Sequence, residues 1–155
     1  MQQFDHERLD VYHLAIDFVV LADTVVASLP RGHSSIADQL QRAAASIVLN
    51  IAEGAGEFSG LEKARFYRMA KRSATECAAA LDVCRARKLI GEPLLAVGRA
   101  ALLRIVSILV KLVQSVGERG RAEDTGERQE AGRREEEVSG TGTGQDTGRL
   151  LPPKG

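Results

Sequence analysis

Four stretches of the chain carry apolar residues at alternating spacings of three and four, and no stretch shows the strict alternation of a half-buried strand. The first begins near Asp10 and is stopped by the turn Leu29-Pro30-Arg31-Gly32. The second begins at Ser34 or Ser35 and is predicted to end at Gly54, in the left-handed conformation common at helix C-termini. This periodicity predicts an all-α protein.

Capping and breaker residues place the other two helices. Ser59 followed by Glu62 is typical of a capping box, so the third helix is expected to begin there and to run to about Ile90. Gly91-Glu92-Pro93 then introduces a fourth helix that continues to about Val116. The predicted inward faces are Val11, Leu14, Phe18, Leu21 and Val25; Ile36, Leu40, Ala43, Ile47 and Asn50; Phe66, Ala70, Ser73, Cys77, Ala80 and Cys84; and Leu94, Ala101, Leu102, Ile105, Leu109, Leu112 and Val116.

Short connections between long helices favour antiparallel neighbours. We therefore predict an up-down-up-down four-helix bundle over residues 10–117, preceded by a lead-in of residues 1–9. From Gly117 onward the apolar period is lost, and 9 of the remaining 39 residues are glycine. Residues 118–155 are therefore predicted to be a disordered tail rich in glycine and charge.

The net charge, the amino-terminal segment and the cysteines exclude few classes of function. Lys plus Arg equals Asp plus Glu at 21 each, so no overall field favours nucleic acid or an acidic partner. The amino end lacks the apolar segment of a secretory signal, which predicts a cytoplasmic protein. Arg99, Arg104 and Lys111 interrupt the most apolar helix, so no membrane association is expected. Cys77 and Cys84 are about two turns apart on one helix and are expected to be core thiols.

The helices carry more apolar residues than one core requires. In the first helix the additional residues are Val19, Val20 and Val26, and in the fourth they are Leu103, Val106, Val110 and Val113. Large apolar patches are rarely left exposed on monomers, which predicts a homo-oligomer with these residues at the interface. The alternative is that these side chains are half-buried beside neighbouring helices.

A line of polar residues runs along one edge of the second helix. At 100° per residue Gln39, Arg42, Ser46, Asn50 and Glu53 share a strip next to its aliphatic face. The predicted counterpart on the third helix is an edge formed by Arg65, Arg68, Arg72 and Glu76. Ser73 and Glu76 are grouped with the five residues of the second helix. We call these seven residues the polar seam. Two interpretations stand: an ion-pair network that sets helix register, or a phosphate-binding edge.

The third helix contains five cations within ten residues: Lys63, Arg65, Arg68, Lys71 and Arg72. Charge runs are usually solvated helix faces. Phe58, Phe66 and Tyr67 lie among them, however, and aromatics with cations are typical of single-strand nucleic-acid binding. These five cations together with Arg42 are the candidate nucleic-acid contacts.

No arrangement of residues predicts catalysis, a cofactor or a metal. The glycines of GAGEFSG follow a helix, whereas those of a dinucleotide-binding loop follow a strand. His6, His13 and His33 belong to no ligand pattern, and no Glu-x-x-His pair exists for a di-iron bundle. We therefore expect no enzyme activity.

Four segments of the chain together resemble the bacterial four-helix-bundle family of the 23S rRNA intervening-sequence protein. They are LDVYHLAIDFVVLAD, LPRG, QLQRAAASIVLNIAEGAGEFS and RFYRMAKRSATECAAALDVC. The likeness covers about residues 4–117. The sequence departs from the family's commoner pattern at two positions. Val48 stands where proline is frequent in the family, and Glu57 stands where a basic residue is frequent. A more distant resemblance is to the accessory variability proteins of diversity-generating retroelements.

The resemblance implies a ring-like homopentamer, and its distant branch implies binding of nucleic acid and of a protein partner. We therefore expect a non-catalytic homo-oligomer that binds structured RNA or DNA through the basic helix edge. The alternative is a structural or adaptor oligomer that binds a protein partner without nucleic acid.

Overall fold

Four long helices form the fold that the apolar periodicity predicts. The computed structural model describes residues 2–140, with side chains for residues 2–135. A 3₁₀ helix, Asp5–Arg8, precedes α1 (Asp10–Ser28), α2 (Ser34–Gly56), α3 (Gly60–Ala86) and α4 (Glu92–Gly140). No strand occurs among the described residues. The all-α four-helix bundle is confirmed.

All four helices contribute to one core. Phe18 of α1, Ile47 of α2, Ala70 of α3 and Ile105 of α4 are at most 2% exposed. The predicted inward faces are largely correct, with one exchange on α3. Tyr67 is buried, whereas Phe66, which was predicted to face the core, is only half-buried.

The sequence pattern predicts that α2 ends at Gly54, and this prediction is wrong. The helix continues to Gly56, and Gly32 is the only glycine with positive φ among the described residues. A Cβ at Gly54 would lie 2.8 Å from Tyr67 Cε1 and 3.0 Å from Phe66 Cβ. Gly54 therefore serves close packing of α2 on α3 and not chain reversal.

Helix α3 begins where the sequence predicts, but its capping contacts and its C-terminal end differ from the prediction. Ser59 is the N-cap residue, but its side chain makes no capping hydrogen bond, and Glu62 pairs instead with Arg65. At the other end Lys88 adopts a left-handed φ of 54°, and Leu89 N donates to Cys84 O at 2.9 Å. This closure is of the Schellman type and ends α3 at Ala86 rather than near Ile90.

The fourth helix does not end near residue 117, and this corrects the predicted start of the tail. Gly117 and Gly120 are buried, and a Cβ at Gly120 would lie 2.8 Å from Leu61 N. The sequence predicts disorder from these glycines, yet Gly120 lets α4 approach the first turn of α3, and Gly117 is buried with room for a Cβ. From Ala122 the chain forms a separate unit, and residues 122–135 are exposed throughout. Residues 141–155 of the predicted tail lie outside the described residues.

The two cysteines behave as the sequence predicts. Cys77 and Cys84 are free thiols buried in the bundle. Burial, with a smaller contribution from the neighbouring Glu76 carboxylate, raises the pKa of the Cys77 thiol to about 12. A thiol with so high a pKa is a poor nucleophile at neutral pH, so Cys77 acts as a small apolar core residue.

Helices α1 and α4 are long and apolar enough to cross a membrane by length and composition alone. Their most apolar windows have mean hydropathies of 1.6 and 1.9, so the cations of α4 do not exclude a span on this criterion. Core helices of soluble bundles meet the same criterion, and both helices place one face in the shared core. Each window is only 28% buried, which leaves apolar surface on the outside of both helices.

Candidate nucleic-acid interface

The outer face of α3 presents three cations side by side. Arg68, Lys71 and Arg72 are exposed and line a shallow groove of about 500 Å³ with Thr75, Glu76 and Ala79. None of the three cations forms an ion pair with residues 2–135. Because residues three and four apart are neighbours on a helix, these cations form one local patch of positive charge. We call Arg68, Lys71 and Arg72 the α3 cation patch.

Two other predicted contacts are already engaged within the chain. Lys63 Nζ donates to Ala55 O at 2.9 Å and to Gly54 O at 3.4 Å. An ammonium at these carbonyls satisfies the C-terminal end of α2, so Lys63 has a structural role. Arg65 pairs with Glu62 at 3.1 Å and lies 5.3 Å from the Phe66 ring centroid. That ion pair is exposed and therefore weak, so Arg65 remains accessible to a phosphate.

The polar seam is not an ion-pair network. Its centre is a chain of neutral hydrogen bonds between α2 and α3. Ser46 Oγ and Ser73 Oγ are 2.8 Å apart, Asn50 Nδ2 donates to Ser46 Oγ at 3.1 Å, and Ser73 Oγ donates to Met69 O at 3.2 Å. These contacts are satisfied together when Asn50 donates to Ser46, Ser46 donates to Ser73, and Ser73 donates to the Met69 carbonyl.

The charged members of the seam lie outside this hydrogen-bonded centre. Gln39, Arg42, Glu53 and Glu76 are exposed, and none of the three charged ones forms an ion pair with residues 2–135. Arg42 precedes Ser46 by one turn and Glu76 follows Ser73 by nearly one turn, so the antiparallel helices place both on the same side of the serine contact. Glu76 also lines the groove of the α3 cation patch, one turn after Arg72, so its carboxylate opposes an anion there as well.

Replacing Ser73 with alanine tests the seam. Ser73 is 7% exposed, and its loss leaves the Ser46 hydroxyl without an acceptor, so we expect a cost of about 1 kcal/mol in the free energy of unfolding. The control is Thr75→Ala on the same helix, because the exposed Thr75 hydroxyl bonds only to Lys71 O. Urea unfolding should separate the two variants. Equal midpoints would show that the serine contact adds nothing.

The predicted oligomer residues do not form one continuous face. Val20 and Leu103 are 63% and 66% exposed, whereas Val19, Val26, Val106 and Val113 pack against the core and Val110 is half-buried. On α1, Val19 and Val26 flank Asp23, which accepts a hydrogen bond from Gln41 of α2. On α4, Leu103 and Val106 line a groove with α3. The two sets therefore lie at different helix pairs, and most of their members are half-buried within the single chain.

The structure also shows two concave surfaces that sequence reasoning missed. Leu14, Leu21, Val97 and Ala101 line an apolar groove of about 460 Å³ between α1 and α4. A second cavity, at the end of the bundle, contains Tyr67. Leu14 and Leu21 fit a core stripe equally well, so periodicity could not show that they border a groove.

No group of three His, Cys, Asp or Glu side chains with metal-binding geometry occurs among the described residues. His13 Nε2 contacts the Glu7 carbonyl at 2.8 Å, within the amino-terminal turn. His6 packs against the Tyr12 ring, with centroids 4.6 Å apart. These histidines take part in local packing.

Comparison with known proteins places the fold in a family. The family model described as 23S rRNA-intervening sequence protein matches residues 7–111. A crystal structure of a protein of unknown function from the S23 ribosomal protein family of Bacteroides thetaiotaomicron is similar at 18% identity, with a TM-score of 0.62. The likeness covers 66% of this chain and 97% of that one. No curated protein matches the chain. Because the family model spans more than half of the sequence, the chain belongs to the 23S rRNA-intervening sequence protein family.

Proposed function

We propose that this protein is a non-catalytic homo-oligomer that binds structured RNA or DNA through the outer face of α3. The observation that carries the proposal is the α3 cation patch, whose three side chains are exposed and unpaired within residues 2–135. Two guanidiniums within one helical turn suit phosphate oxygens, because each offers a planar fork of donors. Arg65, three residues before Arg68 on the same helix, extends this contact. Arg42 of α2 is exposed and is a further candidate contact.

Oligomerisation would strengthen nucleic-acid binding, because the cation patch of one chain is small. Three cations bind a phosphate backbone weakly, but several linked copies engage one strand with a high effective concentration. Two unlike apolar surfaces support the assembly, one near Val20 of α1 and one at Leu103 of α4. When unlike surfaces of successive copies meet, the contact is heterologous and can close into a ring. A five-membered ring, as the family resemblance implies, is our proposed assembly.

A salt titration tests nucleic-acid binding directly. We expect structured RNA to be retained in filter binding at low salt, with log K falling by about 0.7 to 0.9 per phosphate contact for each unit of log salt. The double variant Arg68→Gln/Arg72→Gln should weaken binding and reduce this slope by about two contacts per subunit engaged.

The matched control is Arg104→Gln/Lys111→Gln, which removes the same charge from exposed positions on α4. If both double variants lose affinity equally, net charge and not the α3 cation patch governs binding. No retention of RNA or DNA at 50 mM salt by the intact protein would count against the proposal altogether. The family description makes 23S rRNA fragments the first probe to try.

A second function, as an adaptor for a protein partner, is favoured by the groove between α1 and α4. Its lining is mostly apolar, with Asp17 and Arg104 beside Leu14, Leu21 and Val97. Such a groove suits an amphipathic helix. A purified partner whose binding survives nuclease treatment and is lost in Val97→Glu would favour this function over nucleic-acid binding.

A further inference from the structure

The end of the bundle near the α2–α3 turn contains a cavity of about 500 Å³. The 3₁₀ helix, the α2–α3 turn, α3 and α4 all contribute to its wall. Its apolar side includes Leu9, Leu112 and Val116. Val116 is buried and the two leucines are half-buried. The apolar side of the cavity is therefore formed by the edge of the core, which a small molecule can reach.

The phenol of Tyr67 has no hydrogen-bond partner among residues 2–135. The residue is 3% exposed and lines the cavity, and its hydroxyl makes no hydrogen bond to residues 2–135. No fully buried side-chain oxygen or nitrogen of the described residues lacks a partner, so this hydroxyl must reach the accessible surface. The cavity that Tyr67 lines is open to solvent and supplies such a surface. Burial raises the pKa of the Tyr67 phenol, which keeps it protonated and able to donate at neutral pH.

Two cations line the same cavity. Lys63 Nζ uses two of its three N–H groups on Ala55 O and Gly54 O, which leaves one donor. Arg119 lines the cavity from α4 and forms no ion pair with residues 2–135. The phenol, the ammonium and the guanidinium together supply three kinds of donor and a positive charge.

Two carboxylates limit the charge of the ligand. Asp5 and Glu57 also line the cavity, so its formal charge is zero, with two cations and two anions. Repulsion from the two carboxylates grows with the negative charge of the ligand, so phosphate, which carries up to two negative charges near neutral pH, is disfavoured more than a monoanion. A ligand with a single negative charge can instead accept hydrogen bonds from the three donors. We propose that this cavity binds a small organic monocarboxylate whose compact apolar body packs against Leu112 and Val116.

The test uses 4-methylpentanoate, its uncharged amide and inorganic phosphate as probes of the intact chain. Amide NMR spectra should show saturable shifts with 4-methylpentanoate at residues 55–58, 63–67 and 112–119, at up to about 10 mM, enough to fill even a millimolar site. The amide should bind at least about tenfold more weakly, because it lacks the charge. Phosphate should leave these residues unshifted.

Tyr67→Phe separates ligand binding from structure. Since the hydroxyl has no hydrogen-bond partner in the described part of the chain, the variant should keep the thermal midpoint of the parent while binding 4-methylpentanoate about tenfold more weakly. The control is Tyr12→Phe, because the half-buried Tyr12 ring packs on His6 and His13 and does not line the cavity. The proposal is wrong if these residues show no saturable shift, if the amide or phosphate shifts them equally, or if Tyr67→Phe binds as tightly as the parent.

Discussion

Replacing Gly60 with alanine should lower the free energy of unfolding by about 1–3 kcal/mol, although alanine favours a helix more than glycine does. A Cβ at Gly60 would lie 2.5 Å from Val116 O and 2.9 Å from Gly120 Cα. Both obstacles are backbone atoms, so no side-chain rotation can relieve the clash. The first turn of α3 must move away from α4. Urea unfolding and the thermal midpoint will measure the loss.

The control for this prediction lies on α4. A Cβ at Gly117 would meet only Ala64 Cβ at 4.0 Å, an ordinary contact. Gly117→Ala should therefore stabilise the protein by about 0.4–1 kcal/mol, since alanine restricts the unfolded chain and favours the helix. The two substitutions are chemically identical and should have opposite signs. Equal effects would mean that α3 and α4 do not approach closely at Gly60.

Replacing Leu103 with glutamate should convert the proposed oligomer to monomers while leaving the helical circular dichroism unchanged. Leu103 is 66% exposed in the single chain, so a charge there costs the isolated bundle little. In an assembly that covers this position, the same charge would be buried without a partner and would strongly weaken association. Light scattering coupled to size-exclusion chromatography gives the mass.

Leu49→Glu is the matched control for the assembly. Leu49 lies on α2 and is 60% exposed, so the residue type and exposure are almost the same, but it is not among the predicted interface residues. We expect this variant to keep the mass of the parent. A monomeric parent protein, or an unchanged mass for Leu103→Glu, would remove the basis for the oligomer. Dissociation by both variants would place the interface on α2 as well.

The secondary structure was accessible from sequence because apolar spacing reports which side of a helix is buried. Ser34 begins α2 and Glu92 begins α4 as the local signals indicate. Glycine was the misleading residue. The sequence pattern predicts a helix end at Gly54 and a disordered chain around Gly117 and Gly120, whereas all three are buried inside helices. A glycine needed for packing cannot be told from one needed for a turn without the neighbouring helix.

The candidate site was predictable only in part. Helical spacing was enough to place Arg68, Lys71 and Arg72 on one face, because that relation is local. The role of Lys63 could not be inferred, since its acceptors, Gly54 O and Ala55 O, belong to the preceding helix. The same holds for Ser46 and Ser73, whose contact joins residues 27 positions apart.

The sequence by itself determined the all-α class, the four helices and the cation-rich face of α3, because each depends on the period of a single helix. Only the tertiary structure decided which polar groups pair, how far α4 extends into the bundle and where the cavity beside Tyr67 lies. These features depend on contacts between helices, and a helical period carries no information about the rotation or height of its neighbour. The hydrogen-bonded serines at the seam and the glycine contact between α3 and α4 exist only once those two quantities are set.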